Sequence, residues 1–496
     1  MSRDRQVLVI GGGLAGITAA LDCAGAGAEV TLLEVRRRLG GAAYSFERAG
    51  LEMDNGQHVF LRCCEAYRAL LRRLGSEHLV SLQERLAIPV MKPGSPPFLL
   101  RRSSLPAPLH LAGALARYPH LTPLQRLGAV RAATGLMRLR RSGRGRRELA
   151  LDRLTLGEWL GRHGQGPQAV AALWDLIALP TLNLPAAEAS LELGAFVLRA
   201  GLLEEADAGD IGFHRGTLSQ IIGKPAEQAL AGAGVEVRLG WRVERLERTP
   251  RGLEVHGRVG SNDGEDEVEG ASDGLSAEAV VVALPHARAA RLLEPLLGER
   301  ARSWDRLGSS PIVNLHIVYD REVCSESFLA GVGTPVQYLF DRTQAGGAPA
   351  GCQYLAVSLS GAEREMGMSV AALRERYLPA MRELLPRARQ AKVESFLVTR
   401  EHAATFRAAP GVEALRPGPQ SALQGLLLAG AWTATGWPAT LEGAVLSGHA
   451  AAARALQTLG IGPARIAPGH APTSSAAPVE RTGAGAPSVV AGGGRP

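Results

Sequence analysis

The segment from Val7 to Gly16, which reads VLVIGGGLAG, constrains the fold of this chain more than any other stretch. Its apolar start, Val7 to Ile10, has the pattern of a central parallel strand that is buried on both faces. The helix predicted from about Leu14 to Ala26 points its N-terminal N–H groups at a bound phosphate. Between strand and helix stand three glycines in the spacing G-x-G-x-x-G: Gly11, Gly13 and Gly16. The first allows a tight turn, the second lets a pyrophosphate approach the backbone, and the third lets the helix pack closely.

A strand predicted from Glu29 to Leu33 completes a β-α-β unit, and Glu34 follows it directly. In dinucleotide-binding folds a carboxylate at this place accepts hydrogen bonds from ribose hydroxyls. The order of strand, helix, strand and acid therefore indicates a bound dinucleotide, which a glycine-rich turn alone would not.

A second glycine pair, Gly40-Gly41, follows a few residues after Glu34. Two close approaches of the backbone to phosphate suit a cofactor longer than a nicotinamide dinucleotide. The stretch from Glu34 to Phe46 resembles the opening of flavin amine oxidases and polyprenoid desaturases, and this resemblance implies FAD. NADP is the less favoured alternative, because Glu34 would repel its 2′-phosphate. The arginines at 36–38 would attract that phosphate and keep this alternative open.

A second candidate site lies near the C-terminus, where an apolar strand ends at Ala429-Gly430 and a loop with two tryptophans follows. A helix with small side chains is predicted to begin near Thr440, so its backbone N–H groups can come close to a ligand. In a flavoprotein this helix dipole would lie beside the pyrimidine end of the isoalloxazine and stabilise negative charge on the reduced ring.

Three stretches together carry a more specific resemblance: DNGQH at 54–58, PAPLHL at 106–111 and TATGWPATLEGA at 433–444. Across residues 5–456 the chain resembles the hydroxysqualene dehydroxylases, a squalene-associated, FAD-dependent, desaturase-like family of bacterial hopanoid pathways. The resemblance implies an α/β fold in which a Rossmann-type FAD-binding domain is interleaved with an α+β substrate domain, as in amine oxidases. It also implies that the allylic hydroxyl of hydroxysqualene is replaced by hydrogen, giving squalene at the expense of reduced FAD.

The resemblance carries the expected cofactor residues with it, and FAD is expected to bind tightly without a covalent link. The expected cofactor residues are Gly11, Gly13, Leu14, Ala15, Gly16, Glu34, Val35, Arg36, Gly40, Gly41, Asn55, Gly56, Gln57, Val243, Gly430, Trp432, Trp437, Pro438, Ala439 and Thr440. Among them, Trp432, Trp437 and Pro438 are expected to wall the flavin face, and Val243 is expected to present its backbone to the adenine. No metal site is predicted.

Two positions depart from many relatives. Ala42 stands where an arginine often follows the glycine pair, and Ala431 stands where an aspartate often follows the late glycine. Both positions would normally help to hold the FAD pyrophosphate or ribityl chain.

Loss of an allylic hydroxyl as water requires a proton donor, after which the allylic cation can accept a hydride from reduced flavin. His58 is the first candidate, because an unperturbed histidine pKa of about 6.5 suits proton donation near neutral pH. Asp54 is expected to orient His58 or to replace it. The alternative interpretation is that His58 is a structural histidine that bonds to the flavin loop.

The order of predicted elements implies two interleaved domains and a tail. The FAD-binding domain is predicted to comprise residues 1–95, 211–299 and 406–460. The substrate domain is predicted to comprise residues 96–210, which are mainly helical, and residues 300–405. Residues 461–496 are rich in Pro, Gly, Ala and Ser without periodicity, and are predicted to be a disordered tail. Residues 176–185 (LIALPTLNLP) fit either the wall of an apolar cavity or ordinary core packing.

The net charge of +7 is unevenly distributed, because residues 126–147 contain eight arginines and no acidic residue. Nucleic acid is not an expected partner, since this stretch lacks interleaved aromatics and any recognisable module. Two interpretations stay open: a solvated helix face running into a loop, or a basic amphipathic helix that rests on an anionic membrane surface. Five cysteines without a CxxC pair, and no apolar run long enough to span a bilayer, predict a cytoplasmic protein, peripheral to the inner face of the membrane under the second interpretation.

Other classes are alternatives. A phytoene or carotenoid desaturase shares the fold and a long polyprenoid substrate, but runs the flavin in the oxidising direction. An amine oxidase would build an aromatic cage for a cationic nitrogen, and aromatic residues are only 4% of this chain. A scaffold that binds prenyl synthases at the membrane is the non-enzyme alternative, and would hold no flavin. The electron donor that reduces FAD is not identified by any motif.

Overall fold

The computed structural model describes residues 5–139, 151–250, 252–259 and 273–462. Residues 140–147 of the basic segment and residues 463–496 of the predicted tail lie outside this part of the chain. In the described part the strands are β1 (Gln6–Ile10), β2 (Glu29–Glu34), β3 (Ser45–Arg48), β4 (Leu51–Asp54), β5 (Val59–Leu61), β6 (Val80–Leu82), β7 (Ala87–Met91), β8 (Phe98–Arg101), β9 (Ile211–His214), β10 (Glu236–Leu239), β11 (Trp241–Thr249), β12 (Gly252–Val259), β13 (Asp273–Ala277), β14 (Ala279–Val282), β15 (Ser310–Tyr319), β16 (Phe328–Gly331), β17 (Tyr338–Asp341), β18 (Gln353–Ser360), β19 (Val393–Thr405) and β20 (Leu426–Leu428).

The α-helices of the described part are α1 (Leu14–Gly25), α2 (Glu65–Arg73), α3 (Ala112–Arg117), α4 (Pro123–Arg138), α5 (Leu156–Arg162), α6 (Pro167–Ala169), α7 (Asp175–Leu182), α8 (Leu191–Leu198), α9 (Lys224–Gly232), α10 (His286–Leu297), α11 (Glu299–Arg302), α12 (Glu363–Met366), α13 (Val370–Leu384) and α14 (Leu441–Thr458). Three π-helical turns, a conformation that is frequent near functional sites, join or extend these helices: Val170–Trp174, Arg199–Leu203 and Ser219–Gly223.

A five-stranded parallel sheet in the order β10-β2-β1-β14-β20 holds the N-terminal glycine motif. Strands β14 and β20 and most of β1 are apolar because both of their faces are buried, whereas the edge strand β10 carries Glu236 and Arg238. Leu8 and Ile10 of β1 belong to the hydrophobic core on one face, while Val7 and Val9 belong to the core on the other. The strands of this sheet come from the beginning, the middle and the end of the sequence, so the chain returns to it after long excursions.

Helices α1 and α14 pack against each other on one face of this sheet, and glycine makes the contact close. A Cβ atom at Gly448 would lie 2.4 Å from the carbonyl oxygen of Ala15, and one at Gly16 would lie 1.8 Å from that of Gly11. The small residues of α14 at Gly448, Ala451 and Ala455 are buried in this helix pair. Helix packing therefore explains them, and only the first turn of α14 reaches the cavity described below.

A second sheet, mostly antiparallel, has the strand order β19-β15-β18-β17-β16-β7-β8. Helix α13 covers one of its faces through Leu373, Tyr377 and Met381, which share a buried cluster with Leu315 and Val357 of the sheet. Strand β7 belongs to this sheet although it precedes residue 95, where the sequence placed a domain boundary. The domain boundaries themselves stay a prediction.

Three smaller sheets complete the described part of the chain: β11-β12-β13, β3-β4 and β5-β9-β6. Among the described residues, no helix combines the length and the apolar character needed to cross a membrane.

Candidate cofactor and substrate site

One large cavity, with a volume of about 1570 Å³, begins at the carboxyl ends of β1, β2 and β14 and continues towards the second sheet. Ligands of open parallel sheets bind at this edge of the strands. A typical small-molecule site measures about 300–1,000 Å³, so this cavity has room for a dinucleotide and a second molecule.

The two glycine motifs meet at the sheet end of the cavity. The backbone N–H of Gly40 donates to the carbonyl of Gly12 at 2.9 Å, and Gly13 and Gly40 form an isolated parallel bridge. Gly41 has a φ of +59°, and a Cβ atom there would lie 2.7 Å from the Cα atom of Gly13. Only backbone fits between the two loops, as close approach to a pyrophosphate requires.

The N-terminus of α1 faces the cavity without a side chain to satisfy it. Its N-cap residue Gly13 makes no side-chain cap, and the first turn contains no acidic residue. The first intrahelical bond is donated by Ile17, so the N–H groups of Leu14, Ala15 and Gly16 have no partner within the helix. Leu14 and Ala15 line the cavity. This end of α1 fits an anionic diphosphate.

The Glu34 side chain is buried beside the same loops. One carboxylate oxygen accepts from the N–H of Gly12 at 2.6 Å, and the other accepts from the N–H of Arg36 at 2.7 Å. A carboxylate can accept about four hydrogen bonds, so lone pairs remain for ribose hydroxyls. Val35 and Arg36 line the cavity next to Glu34.

Arg38 places a guanidinium group beside the second glycine pair. Its guanidinium donates to the carbonyl of Gly41 at 3.2 Å and lies 3.6 Å from the ring centroid of Tyr44. Burial lowers the pKa of Arg38 from its usual value, while Tyr44 and Glu34 oppose this shift. Of the three consecutive arginines at 36–38, only Arg36 was among the expected cofactor residues, and Arg38 was not.

Asn55, at the end of β4, ties the second glycine loop to the second sheet. Its side-chain amide donates to the carbonyl of Ala42 at 2.9 Å and to the carboxylate of Glu401 at 3.0 Å. Its backbone carbonyl accepts from the amide of Asn314 at 3.0 Å. Asn55 and Glu401 both line the cavity. Glu401, on β19, is a site residue that no motif indicated.

Gly56 and Gln57 follow Asn55 along the cavity wall. The side-chain Nε2 of Gln57 is buried and, among the described residues, has no hydrogen-bond partner. A buried donor without a partner costs about 1–3 kcal/mol, and a ligand in the cavity would remove that cost. Gln57 therefore fits its expected role at the cofactor.

Asp54 lies behind the cavity wall, in a buried ion pair with Arg342 of the loop after β17. The Arg342 guanidinium donates to the Asp54 carboxylate at 2.7 Å, and the carboxylate also accepts from Ser45 Oγ and from the N–H of Leu218. Burial raises the pKa of Asp54, and Arg342 opposes that shift. The geometry assigns this carboxylate to holding Arg342 and the loop before the π-helical turn Ser219–Gly223.

His58 lines the cavity, but its imidazole is neutral near pH 7. Burial and the nearby Arg342 guanidinium lower the pKa of His58 to about 4. The reason for expecting an imidazolium acid is therefore overturned, because the expectation assumed an unperturbed pKa. Whether His58 acts on the substrate stays a prediction.

The backbone of His58 is part of a buried network. Its carbonyl accepts from Nδ1 of His214 at 2.9 Å, which leaves Nε2 of His214 to accept from the Tyr67 hydroxyl at 2.8 Å. Burial and the neighbouring His58 lower the pKa of His214 to about 3. This network fixes the path of the chain at His58.

The loop that follows β20, residues 429–440, which we call the late loop, lies at the same carboxyl edge of the parallel sheet as the glycine motifs, and Arg416 organises it. The buried guanidinium of Arg416 donates to the carbonyls of Thr433 at 2.5 Å and Trp437 at 2.6 Å, and pairs with Glu413 at 2.5 Å. It also contacts the carbonyl of Ala431 at 3.4 Å. The sequence analysis missed Arg416, because it precedes the loop by many residues and belongs to no motif.

The expected residues of the late loop have separate roles. Gly430, with a φ of +135°, donates its N–H to Ser447 Oγ at 2.8 Å. Trp432 lies mainly in the core, where its indole N–H donates to the carbonyl of Leu284 and its ring packs against Trp304. All of the expected residues of this loop line the cavity: Gly430, Trp432, Trp437, Pro438, Ala439 and Thr440.

Glu442, in the first turn of α14, is a further cavity residue that was not among the expected site residues. Its carboxylate accepts from the N–H groups of Ala66 at 3.0 Å and Tyr67 at 2.7 Å, and so caps α2. Burial raises the pKa of Glu442 to about 7. Helix α14 and helix α2 are thus joined by a carboxyl group that titrates near neutral pH.

Val243 marks the end of the cavity that the adenine is expected to occupy. The pairing of β11 with β12 is interrupted between Val243 and Arg245, and Gly240 donates its N–H to the carbonyl of Arg36 at 3.1 Å. Val243 and Arg242 line the cavity on this side. Val243 itself is paired with Gly257 of β12, and the residue that the interruption leaves without a partner in this ladder is Glu244. The contact of the Val243 backbone with adenine stays a prediction.

The opposite end of the cavity is apolar. Its walls come from many segments, including Leu86, Ile88, Leu115, Leu173, Phe196 and Phe340. Two tyrosines in this wall donate their hydroxyls to backbone carbonyls, Tyr118 to Ala172 and Tyr338 to Leu176, both at 2.6 Å, so their rings act as apolar surface. Residues 176–185 contribute both to the wall of the apolar cavity and to core packing, the two roles that the sequence left open. Ile177 and Pro180 line the cavity, while Leu182 and Leu184 lie in the core.

The paired glycine loops, the open helix N-terminus and the buried carboxylate define a dinucleotide-binding oxidoreductase with a second domain laid over its cofactor edge. Residues 14–456 match the family described as flavin containing amine oxidoreductase, and the chain belongs to this family. The protein is an FAD-dependent oxidoreductase, and the amine-oxidase-like fold expected from the sequence is confirmed.

Two relatives illustrate the range of the family. The hydroxysqualene dehydroxylase of Rhodopseudomonas palustris is 30% identical over 459 residues, which are 90% of this chain and 97% of the relative. The 15-cis-phytoene desaturase of Narcissus pseudonarcissus is 25% identical over 478 residues, which are 91% of this chain and 79% of the relative. The resemblance to hydroxysqualene dehydroxylases is thereby confirmed.

Solved structures share the fold at low sequence identity. Wild-type putrescine oxidase bound to putrescine matches with a TM-score of 0.68 and 17% identity, covering 91% of this chain and 99% of that structure. An oxidoreductase from Methanosarcina mazei matches with a TM-score of 0.65 and 17% identity, covering 89% of this chain and 98% of that structure.

Proposed function

We propose that this protein reduces the allylic alcohol hydroxysqualene to squalene with electrons from reduced FAD. The observation that carries the proposal is the single cavity that joins the glycine loops to an apolar compartment large enough for a second molecule. An apolar wall suits a C30 hydrocarbon and excludes water that would compete for the carbocation. The 30% identity to a hydroxysqualene dehydroxylase over 90% of the chain supports the same assignment.

In the proposed reaction the allylic C–O bond breaks and a C–H bond forms at the same carbon. The hydroxyl takes up one proton and leaves as water, and bound reduced FAD supplies the hydride. The residues expected to hold the cofactor are the two glycine loops, the N-terminus of α1 and Glu34, all of which meet at the sheet end of the cavity. The apolar end orients the hydrocarbon.

The proposed reaction needs a proton donor in the cavity. His58 lines the cavity, but burial and Arg342 lower its pKa to about 4. At neutral pH its imidazole therefore lacks the extra proton that a general acid would donate. Glu442 lines the same cavity, and burial raises its pKa to about 7. An acid works best when its pKa lies near the working pH. We therefore propose Glu442, in addition to His58, as a candidate for the general acid.

A phytoene-type desaturase is the second candidate, since the Narcissus relative matches 91% of this chain. It would use the same apolar compartment with oxidised flavin. The amine oxidase and the flavin-free scaffold have no specific observation in their favour: the apolar compartment carries no charge partner for an amine among the wall residues named above. We further propose a cytoplasmic protein that takes electrons from a separate donor and touches anionic membrane through residues 126–147.

An anaerobic half-reaction tests the proposal. The purified flavoprotein is reduced, hydroxysqualene is added, flavin reoxidation is followed by absorbance, and the product is extracted for mass spectrometry. Reoxidation with formation of squalene is the expected result. A flavin that stays reduced would reject the proposed reaction, and oxidised protein would then be tested with phytoene and with squalene for desaturation.

A further inference from the structure

Exposed apolar side chains are concentrated in one segment of the described part of the chain. Large apolar residues with exposed side chains are rare in the described part of the chain, and six of them lie between Leu99 and Val130. Five of the six, which we call the leucine face, are Leu105, Leu109, Leu124, Leu127 and Val130. Exposed apolar residues scattered singly need no explanation, whereas a contiguous group marks an interaction surface.

Helix α4 shows that core packing does not account for this face. Its buried side is occupied by Ala129, Ala132 and Leu136. Leu124 and Leu127, one turn apart on another side of the helix, are 81% and 60% exposed. Apolar side chains on the solvent side of a helix indicate a partner that covers them.

Two residues of the leucine face also line the cavity. Leu109 and Val130 are exposed and line the cavity, and so connect the outer surface to its interior. Ala112, Leu115 and Ala133 of helices α3 and α4 line the cavity as well, and together with Leu109 and Val130 they form what we call the mouth of the cavity. Helices α3 and α4 are held together here, because Arg126 of α4 donates to the carbonyl of Ala116 at 2.6 Å. The route from this surface into the apolar compartment is apolar from its first residue.

The segment that carries the leucine face is rich in positive charge. No Asp or Glu occurs between Glu84 and Glu148 in the sequence. Arg117, Arg131 and Arg138 of this segment are exposed on α3 and α4. Protruding leucines accompanied by arginines match the acyl chains and anionic headgroups of a bilayer.

We propose that the leucine face is a lipid-docking surface, which seats the mouth of the cavity on an anionic bilayer so that a hydrocarbon enters without passing through water. The leucines would insert at the level of the acyl chains, and Arg117, Arg131 and Arg138 would bind headgroup phosphates. A second copy of the chain is a poor occupant, because a two-fold contact would bring the same arginines together. The need for a dry route rests on the proposed function, but the docking itself does not.

Sedimentation with vesicles, using the flavin-loaded protein and no substrate, tests this surface independently of the reaction. Vesicles contain either equal parts of phosphatidylcholine and phosphatidylglycerol, or phosphatidylcholine alone. We expect binding to the mixed vesicles that weakens with salt, and weaker binding to phosphatidylcholine. Leu124→Glu with Leu127→Glu should weaken binding by about tenfold for each leucine, and Arg131→Gln with Arg138→Gln by about fivefold for each arginine.

The control pair Val259→Glu and Val370→Glu adds the same charge at two apolar residues that are exposed elsewhere, and should bind as the unchanged protein does. Equal binding by the leucine pair and the control pair would overturn the proposal, and so would a failure to bind the mixed vesicles. A dimer in the absence of lipid that dissociates in the leucine pair would assign the face to a second copy instead. Leu124 and Leu127 do not line the cavity, so turnover of detergent-dissolved substrate should survive in that variant.

Discussion

The two ends of the cavity are built by different means. At the cofactor end, backbone groups do the binding: glycines at 11, 13, 40 and 41 let two loops touch, and the N-terminus of α1 offers free N–H groups. At the substrate end, side chains from β7, β17, α3, α7 and several loops supply an apolar wall. The first end depends on single atoms at fixed positions, and the second depends on summed volume and shape. We therefore expect substitutions at the cofactor end to abolish binding, and substitutions at the substrate end to change it by degrees.

The largest effect is expected at the contact between the glycine loops. Gly41→Ala would put a Cβ atom 2.7 Å from the Cα of Gly13, at a φ of +59°, so the two loops must separate. The variant should be purified without flavin absorbance. Gly27→Ala is the matched control, because Gly27 also has a positive φ, of +86°, but a Cβ atom there meets nothing within 4 Å. The control should lose only about 1 kcal/mol of stability through strain and keep its flavin. Flavin retained by Gly41→Ala would contradict the role given to this contact.

Removal of the Arg416 guanidinium should have the next largest effect. Arg416→Met leaves the Glu413 carboxylate and the carbonyls of Thr433 and Trp437 without their buried donor. We expect the free energy of unfolding to fall by about 3–5 kcal/mol, as for other broken buried ion pairs. The late loop should lose its order, and the protein should therefore lose its flavin. Denaturant unfolding measures the first quantity.

Arg407→Met provides the comparison for Arg416. Arg407 pairs with Glu188 and Glu363 on the surface, where its side chain is 33% exposed. Exposed pairs contribute about 1 kcal/mol or less. Equal losses of stability in the two variants would mean that Arg416 does not organise the late loop.

The contrast between the two ends also explains what the sequence could predict. The glycine loops, Glu34 and the late loop could be predicted from the sequence, because their function needs particular residues close together in the chain. Arg416 and Glu401 could not be predicted, because neither belongs to a motif. Arg416 acts on a loop 15–21 residues further along the chain, and Glu401 acts on Asn55, 346 residues away, and only the fold brings these groups together. The lowered pKa of His58 could not be predicted for the same reason: burial by the folded chain is its main cause, and Arg342, which adds to it, lies almost three hundred residues away along the chain. The apolar end carries no motif, because any side chain of suitable volume can form such a wall.

Glu442 lies where the cofactor end meets α2, and its titration should appear in the stability of the protein. Burial raises the pKa of Glu442 from 4.5 to about 7, so the folded state favours the neutral carboxyl. This contribution is fully present below about pH 4.5 and is lost as the pH rises through about 7. The shift corresponds to about 3 kcal/mol.

The comparison of Glu442→Gln with the unchanged protein isolates this contribution. Between pH 4.5 and 7 the free energy of unfolding should fall less steeply in Glu442→Gln than in the unchanged protein. Glu375→Gln, at an exposed position of α13, should follow the unchanged protein. Parallel curves for Glu442→Gln and the unchanged protein would show that the carboxyl does not titrate in this range.

The smallest effect is expected at the substrate end. Ala133 lines the mouth of the cavity on α4, and Ala133→Trp would fill that mouth with an indole ring. We expect kcat/KM for the hydrocarbon substrate to fall by about tenfold, the lower range for a change of shape in an apolar pocket, while the flavin spectrum stays unchanged. Ala116→Trp, exposed on α3 and outside the cavity wall, should leave both quantities unchanged. If Ala133→Trp lost its flavin instead, the two ends would not be independent, and the substrate wall would also support the cofactor. If Ala133→Trp kept its full kcat/KM, the substrate would enter by another path, and the mouth would have to be sought elsewhere along the apolar wall.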